Sequence, residues 1–597
     1  MKRCASLFAL SNLLLLAYVG MMRIPAFAQA NVLGEWTTLS TVMPINPVHV
    51  ALLNTGKVLV VSGSGNDPSI SNYQAGIWDP VTNSITTQSI GWDMFCNGMV
   101  MLPDGRVLIA GGTLQYDPFH GQTRASVFDP LTNSFSDVQS MAHGRWYPTL
   151  TILPGGRIIA FSGLDENGNT NQTVEIYKAG SGWTTPVIAP WTPPLYPRMH
   201  LLPSGKVFYS GPTASSHIFD PVSGSWTLNV ASTNYGGYRS YGTSVLLPLT
   251  PQNKYSAHVL IMGGGSPATA TTEIIDFSAP VLSWQWGPNM SQGRTEMNAV
   301  ILPTGNVLAV GGSLNNEDAN SASYNADLYD PVTNTFSSAG ANAFPRLYHS
   351  VALLLPDATV WLTGGNPQRG SFQQQVEIYQ PAYLFTTDSS GTVVPAARPT
   401  ISSAPSSIAD SSSFPLGTPD AGNIASVSLV RAGAVTHAFD MDQRMIELSF
   451  TADTSSNTLT VNGPRNGSLA PPGYYLLFII NNSGVPSQAT FVKVFAQPLF
   501  SISASPASQT IPRGSSVTFT VTVTAIGGFT GTVNLSMSGT TPHVTASLNP
   551  TSVTGSGTAT LTVTTDQKAA RAITRKLTIT GTSGSTSHAT SVNVTVQ

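Results

Sequence analysis

The chain has 597 residues, which is too long for one ordinary domain and predicts two to four. Charged residues make up 9% of it and the net charge is −3, so it lacks both the basic surface of a nucleic-acid binder and the charge density of a coiled coil. Its 54 glycines and 43 prolines favour many turns and short strands over a helical bundle, while 41% hydrophobic residues suffice for real cores.

The first 30 residues have the layout of a secretory signal peptide. Two basic residues at the start precede an apolar run at 7–19, and the segment Ala-Phe-Ala-Gln-Ala follows at 26–30. Cleavage is expected after Ala28 or Ala30, which predicts export to the periplasm or out of the cell. A membrane anchor is the alternative, but the apolar run is short and the charged Arg23 lies soon after it. No stable membrane span is expected elsewhere.

Removal of this segment leaves Cys96 as the single cysteine of the mature chain. A secreted protein with one cysteine cannot form an internal disulfide, so the thiol is a candidate functional group. The alternative is a small, buried, apolar residue.

Residues 31–390 are dominated by a repeat with a period near 50. Each copy reads apolar, Leu, turn, Lys or Arg, apolar run, Gly-Gly, and four copies also carry an aromatic-Asp-Pro turn, as at 128–130. Several short strands per period are typical of a kelch-type β-propeller, so each copy predicts one blade and seven copies predict seven blades. The copies begin at Leu53, Leu102, Leu153, Leu202, Leu247, Leu302 and Leu355.

Two further domains are predicted after the repeats. Residues 386–400 are rich in Ser, Gly and Pro and predict a connector. Residues 398–497 alternate apolar and polar positions in strand-length pieces, which predicts a β-sandwich. Residues 500–597 are rich in Thr, Ser and Val, with strict alternation at 516–523, and predict an Ig-like bacterial sandwich. The predicted fold class is all-β.

One register of the repeats carries unusual side chains. The residues six positions before the repeat leucines are Pro47, Cys96, Tyr147, Tyr196, Tyr241, Glu296 and His349. These positions begin the innermost strands, so we expect them to share one rim of the central channel. A thiol, phenols, an acid and an imidazole are all possible metal ligands or redox groups. The alternative is that the aromatic rings simply fill the channel.

Five segments, taken in order, resemble the galactose oxidase/glyoxal oxidase family of copper-radical oxidases. The resemblance covers about 40–497, and the Arg-Trp-Tyr at 145–147 reads more like the glyoxal oxidase branch. These segments are Phe-Cys-Asn-Gly at 95–98, Arg-Trp-Tyr-Pro at 145–148, Arg-Leu-Tyr-His-Ser at 346–350, Val-Thr-His-Ala-Phe at 435–439 and Pro-Pro-Gly-Tyr-Tyr-Leu-Leu-Phe at 471–478.

The resemblance implies a role for each matching residue. Cys96 matches the cysteine that forms a thioether with the ring of a copper-binding tyrosine, and Tyr147 matches that tyrosine. Tyr348 matches the axial tyrosine ligand, His349 the first histidine ligand, and His437 a second histidine that the sandwich domain supplies. Galactose oxidase also places a tryptophan shortly after the crosslinked tyrosine, whereas here 163–167 reads Gly-Leu-Asp-Glu-Asn.

The residue types fit that chemistry. Two imidazoles and two phenolates suit Cu(II) in a tetragonal N,O site, and one copper with one tyrosyl radical together transfer two electrons. The resemblance implies that Tyr348 takes the substrate hydroxyl proton and that the Tyr147 radical takes a hydrogen atom from the substrate carbon. It also implies that O2 is then reduced to hydrogen peroxide.

The sequence thus predicts a secreted oxidase of a small aldehyde or primary alcohol, acting as a monomer with copper and O2. Tyr196, Arg198, Arg294 and Glu296 are candidate substrate-binding residues, with structural salt bridges as the alternative for the two arginines. A contact with a cell surface or polysaccharide is expected of 500–597. The competing hypothesis is a propeller that binds glycans or proteins without catalysis, because a propeller alone implies no activity.

Overall fold

The computed structural model describes residues 29–496, 499–526, 529–584 and 586–597. The predicted signal peptide lies outside the described residues, apart from its last two positions. The chain divides into two compact units, one ending at Phe495 and the other beginning at Ala496. Within the described ranges, no helix has the length and hydropathy to cross a bilayer.

The described part of the first unit begins with a sequence of small antiparallel sheets, numbered here sheet 1 to sheet 7 in chain order. Successive strands of each sheet are hydrogen-bonded neighbours, except that in sheet 3 the last two strands both pair with Thr173–Lys178. Their strands are, for sheet 1, His49–Leu52, Val58–Gly63, Gln74–Asp79 and Ser84–Ser89; for sheet 2, Gly98–Met101, Val107–Ala110, Ala125–Asp129 and Ser134–Val138; for sheet 3, Thr149–Ile152, Ile158–Phe161, Thr173–Lys178, Gly182–Trp183 and Val187–Ile188; for sheet 4, Arg198–Leu201, Val207–Gly211, Ser215–Asp220 and Ser225–Ser232; for sheet 5, Thr243–Leu246, His258–Met262, Thr272–Asp276 and Trp284–Trp286; for sheet 6, Thr295–Ile301, Val307–Ser313, Asn325–Asp330 and Thr335–Ala341; and for sheet 7, Val351–Leu354, Val360–Thr363, Gln375–Gln380 and Glu35–Val42.

Within each sheet, the first strands are buried and the last strand is the most exposed. In sheet 2, all four residues of Val107–Ala110 are buried, whereas Ser134–Val138 is mostly exposed. The continuous Val, Leu and Ile runs therefore form the interior, and the Ser- and Thr-rich strands face solvent. Sheet 7 is completed by Glu35–Val42, which comes from the start of the chain and pairs with Gln375–Gln380. No pattern in the sequence indicated this strand.

Several short elements lie outside these sheets. The predicted connector at 386–400 is only partly irregular, because a small hairpin pairs Phe385–Thr387 with Val393–Pro395. Its backbone amides and carbonyls thus bond to each other, which the Ser/Gly/Pro composition did not indicate. The other short elements are the ribbon of Thr113–Gln115 and His120–Gly121, the helix Ala30–Leu33, and the 3-10 turns Ala319–Ser321, Ala382–Leu384 and Ala421–Asn423.

A β-sandwich completes the first unit. The chain passes from one of its two sheets to the other at Ser449, because the strand Met445–Leu448 belongs to the larger sheet and Phe450–Asp453 to the smaller. The larger sheet contains Ser407–Ala409, Thr490–Phe495, Gly473–Asn481, Ile424–Arg431 and Met445–Leu448, and the smaller contains Ser413–Gly417, Thr458–Asn462 and Phe450–Asp453.

One hairpin of the 398–494 region leaves the sandwich and joins sheet 1. Its strands are Ala434–Thr436 and Phe439–Asp440, and Val435 pairs with Val50 of the first strand of sheet 1. This pairing brings the tip of the hairpin, at His437, to the start of that strand.

The second unit is also built of two antiparallel-rich sheets around its own apolar core. Phe519, Val521 and Leu561 are buried there, in line with the predicted alternation at 516–523. One sheet contains Leu499–Ser505, Ser516–Ile526, Gly557–Thr565 and Val544–Asn549, and the other contains Ser508–Ile511, Thr586–Val596, Thr574–Ser583, Thr532–Ser538 and Ser552–Thr554.

Candidate metal centre

The register residues adopt one shared backbone conformation. All six that are not proline have positive φ, a region that side-chain-bearing residues rarely occupy, so the register found in the sequence is a real structural position. The φ values are 63° at Cys96, 68° at Tyr147, 44° at Tyr196, 46° at Tyr241, 62° at Glu296 and 65° at His349.

Backbone hydrogen bonds link neighbouring register residues. The N–H of Tyr147 donates to the carbonyl of Cys96 at 3.0 Å, and the N–H of Tyr196 donates to that of Tyr147 at 2.9 Å. The N–H of Glu296 donates to the carbonyl of Tyr241 at 2.7 Å. These bonds join the register residues, together called the rim here, in two runs: Cys96 to Tyr147 to Tyr196, and Tyr241 to Glu296.

Four of the five residues with implied catalytic or ligand roles meet directly, and the fifth lies beside them. Nε2 of His349 is 2.9 Å from Nε2 of His437, and Sγ of Cys96 is 3.8 Å from that same atom. The hydroxyls of Tyr147 and Tyr348 are in contact with each other. The ring of Tyr147 lies 4.5 Å from that of His437, centroid to centroid, and the ring of Tyr348 lies 3.8 Å from that of His349.

The tip of the hairpin presents His437 through a tight turn. His437 and Ala438 both have positive φ, at 47° and 65°, as the two central residues of a type I′ hairpin turn must. Asp440 stabilises this turn, because its Oδ1 accepts the N–H groups of Ala434, Asp442 and Gln443, each at 2.9 Å.

The hydrogen bonds of the two imidazoles show that they fit a metal ion. Nδ1 of His349 donates to the Asn366 amide oxygen at 2.6 Å, an atom that can only accept. Oγ1 of Thr436 donates to the carbonyl of Val48 at 2.9 Å, so it accepts from Nδ1 of His437 at 2.5 Å. Both Nε2 atoms are thus bare lone pairs that face each other, an arrangement that a bound cation would stabilise.

Burial keeps these imidazoles neutral, the form that binds metals. It lowers the pKa of His349 from its ordinary 6.5 to about 3, and it lowers the pKa of His437 well below that ordinary value. Burial also raises the pKa of the Cys96 thiol and of the Tyr348 phenol well above their usual values. A nearby cation would oppose the latter shifts, because it favours thiolate and phenolate.

The nature of the ligand atoms favours copper. A Cys-His-His set alone, which lies within 4.8 Å, would also suit zinc. Two phenol oxygens meeting beside two imidazole nitrogens give instead a hard and borderline N,O set of the kind that Cu(II) prefers.

An indole covers Tyr147, although no tryptophan occurs at 163–167. The ring of Trp146 stacks on Tyr147 at a centroid distance of 3.7 Å and an angle of 16°, and Phe119 stacks on the far face of this pair at 4.1 Å from Trp146. The cover therefore comes from the preceding residue of the chain. Adjacent side chains stack here because Tyr147 has positive φ, and sequence spacing gave no sign of this.

A cavity of about 260 Å³ opens beside Tyr147. Tyr196, Arg198, Tyr241 and His437 are among its lining residues. The hydroxyl of Tyr196 donates to the carbonyl of Asn97 at 2.7 Å, and its ring stacks on Tyr147 at 4.5 Å. Two of the candidate substrate-binding residues, Tyr196 and Arg198, thus line this cavity.

The other two candidates have structural partners. The carboxylate of Glu296 accepts the N–H of Tyr348 at 3.0 Å and that of Glu317 at 3.2 Å, and burial raises the pKa of Glu296 to about 8. Glu296 therefore positions the backbone of Tyr348.

The guanidinium of Arg294 is held in a buried ion pair, as the salt-bridge alternative for this candidate predicts. It bonds Asp327 at 2.8 Å, and this pair is one of four that recur at equivalent places in the repeats. Such a pair satisfies a buried charge within one sheet, so the salt-bridge alternative is the better interpretation. The other three pairs are Arg145–Glu175, Arg239–Glu273 and Arg346–Glu377.

His49 is a buried group near the site that the repeat register and the family motifs did not select. It is fully buried, and its ring lies 5.9 Å from that of His437. A histidine inside an otherwise apolar first strand was the signal available in the sequence.

Comparison with known proteins gives a consistent result. The family described as "Glyoxal oxidase N-terminus" matches residues 72–383, and "Galactose oxidase-like, Early set domain" matches residues 398–494. The chain is 28% identical to aldehyde oxidase GLOX of Vitis pseudoreticulata, over 78% of this chain and 98% of that protein. It is 28% identical to a galactose oxidase of Gibberella zeae, over 77% of this chain and 71% of that protein.

A solved structure has a similar fold. It is a fungal alcohol oxidase in complex with copper, with a TM-score of 0.67 and 26% identity, and the match covers 77% of this chain and 99% of that one.

Proposed function

The chain belongs to the glyoxal oxidase family, and on that premise we propose that it is a copper-radical oxidase that converts a small aldehyde or a primary alcohol and reduces O2 to hydrogen peroxide. The observation that carries this proposal is the pair of bare Nε2 atoms on His349 and His437, 2.9 Å apart, beside the touching hydroxyls of Tyr147 and Tyr348. We assign the metal to these four residues.

Within this proposal, each side chain has a distinct task. Copper held by Tyr147, Tyr348, His349 and His437 would supply a one-electron acceptor. Tyr348 takes the proton of the substrate hydroxyl, which in an aldehyde substrate belongs to its hydrate. Tyr147, as its radical, takes a hydrogen atom from the adjacent carbon, and the stacked Trp146 shields this ring from water. A thioether between Cys96 and Tyr147 would make that oxidation easier.

We also propose that sheets 1 to 7 are the blades of a seven-bladed kelch-type propeller. The repeat motif supports this, as does the closure of sheet 7 by the strand Glu35–Val42. The layout of residues 1–30 supports secretion, and we expect a monomer. A contact of 500–597 with polysaccharide or a cell surface remains a proposal from composition.

The decisive assay is peroxide release from the copper-loaded chain over a panel of aldehydes, primary alcohols and sugars. We expect peroxide with at least one small aldehyde or alcohol, and none after copper is removed by chelation. A fully copper-loaded protein that releases no peroxide with any member would favour the non-catalytic binding propeller.

Arg198 makes a further prediction about substrates. Arg198 is 4% exposed as a whole residue. Its Nη2 donates to the carbonyl of Arg239 at 2.8 Å, and its Nη1 has no partner among the described residues. Burial lowers the pKa of Arg198 to about 10, so it stays charged at neutral pH. A buried cation at a cavity wall, with no carboxylate bonded to it in the described part of the chain, favours a substrate with an anionic or hydrogen-bond-accepting group.

We therefore expect Arg198→Ala to raise KM by about 10- to 100-fold for an aldehyde that carries a carboxylate, the value of one charged hydrogen bond. The KM for a neutral aldehyde should change much less. Arg198→Lys keeps the charge, so its KM for the carboxylate-bearing aldehyde should lie between those of wild type and Arg198→Ala. An equal change for charged and neutral aldehydes would show that Arg198 only supports the cavity wall.

A further inference from the structure

The N–H of Cys96 has an acceptor unlike those of the next register residues. Tyr147 and Tyr196 each donate to the backbone carbonyl of the preceding register residue. The N–H of Cys96 donates instead to a side chain, Nε2 of His49, at 2.9 Å. His49 thus does for Cys96 what a backbone carbonyl does elsewhere on the rim.

This hydrogen bond fixes the chemical state of His49. A backbone N–H can only donate, so Nε2 of His49 is a lone pair and the proton lies on Nδ1. Burial is the main reason that the pKa of His49 lies well below its ordinary value, which keeps the acceptor available. Nδ1 has no hydrogen-bond partner among the described residues. A buried polar atom without a partner is unfavourable, so an apolar residue would suit the strand better unless the acceptor were needed.

Nε2 of His49 binds Cys96 at a position where the direction of the cysteine side chain is important. Cys96 has a φ of 63°, which cysteine does not adopt without support. Holding its N–H fixes the orientation of the peptide plane, and with it the direction of the Cα–Cβ bond. Cys96 and Tyr147 belong to the same buried cluster, and Sγ lies 3.8 Å from Nε2 of His437.

We propose that His49 is a positioning residue that holds Cys96 for formation of the thioether with Tyr147. The proposal rests on the function proposed above. In this step the S–H bond of Cys96 and one ring C–H bond of Tyr147 break and a C–S bond forms. Two protons and two electrons leave, and O2 accepts them to give hydrogen peroxide.

Two variants of His49 distinguish the contribution of its hydrogen-bond acceptor from that of its side-chain volume. In His49→Gln the amide oxygen reaches about as far as Nε2 and can accept from Cys96. In His49→Phe the ring volume remains and the acceptor is lost. The full-length chain, expressed without copper, is mixed with Cu(II) in air. Formation of the crosslink is followed by the loss of two hydrogens from the joined peptides that contain residues 96 and 147.

We expect crosslinking of His49→Phe to be slower than wild type by about 10- to 100-fold, the effect of a misplaced reacting group. His49→Gln should stay within about three-fold of wild type, and copper affinity should change little in either variant because His49 is not a ligand in this proposal. A purely structural role would lower the thermal midpoint of both variants without this split in rates.

A crosslinking rate of His49→Phe equal to wild type would overturn the role of His49 and leave the proposed oxidase intact. A wild-type chain that binds copper and never crosslinks would instead remove the thioether itself. If His49→Phe does not fold, His49→Asn replaces it, because its shorter amide cannot reach the N–H of Cys96. Rates for Asn and Gln that are equal would then overturn the proposal, and slow Asn with fast Gln would support it.

Discussion

Replacing His437 by alanine is expected to abolish stoichiometric copper binding and peroxide release while the first unit stays folded. His437 supplies one of the two bare imidazole nitrogens. Nε2 of His349 alone, beside the Tyr348 phenol whose pKa burial raises, is a much weaker site. Mutating a residue that hydrogen-bonds to a metal ligand typically lowers metal affinity by about 10- to 100-fold. Removing the ligand itself should lower copper affinity by more than this. Copper content after dialysis and peroxide output measure both effects.

The matched control is Ala438→Gly on the same turn. Ala438 has a φ of 65°, which glycine adopts readily, so the hairpin and all proposed ligands should persist. Copper content of the glycine variant should equal that of wild type. Wild-type copper content in His437→Ala would remove the hairpin from the metal centre.

Replacing Tyr147 by phenylalanine is expected to lower kcat by at least about 1,000-fold, within the range for loss of a group that acts directly in catalysis. The variant loses the phenol oxygen that touches Tyr348 and would form the radical, yet its ring can still stack on Trp146. The protein should therefore keep its thermal midpoint to within a few degrees. Steady-state peroxide release and calorimetry provide the measurements.

Tyr209→Phe is a suitable control, because it also removes one buried phenol hydroxyl. That hydroxyl contacts Oγ1 of Thr213 at 2.9 Å and lies in sheet 4. Its loss should cost about 1 kcal/mol of stability and leave kcat unchanged. If Tyr147→Phe retained a tenth of wild-type kcat, a different side chain would have to carry the oxidation.

Several residues of the rim could be predicted from the sequence because the repeats share one backbone geometry. Counting back from each repeat leucine selected Cys96, Tyr147 and His349, and the structure gives all of them positive φ. When the loops before equivalent strands end with the same geometry, residues at the same distance before those strands occupy equivalent positions. The match to family motifs then selected Tyr348 and His437, which repeat spacing alone does not reach.

Other parts depend on contacts between distant segments. The strand Glu35–Val42 pairs with Gln375–Gln380, and no local pattern states which partner such a strand will find. The stacking of Trp146 on Tyr147 depends on a backbone conformation, not on spacing. The ion pair of Arg294 was not visible in the sequence, because its partner Asp327 lies 33 residues away in the strand Asn325–Asp330.

The most direct test of the whole account is peptide mapping of the copper-loaded, air-exposed chain by mass spectrometry. We predict that the peptides containing Cys96 and Tyr147 are recovered as one crosslinked species whose mass is lower than their sum by two hydrogens. Recovery of both peptides separately, with Cys96 fully alkylated under denaturing conditions, would contradict the account.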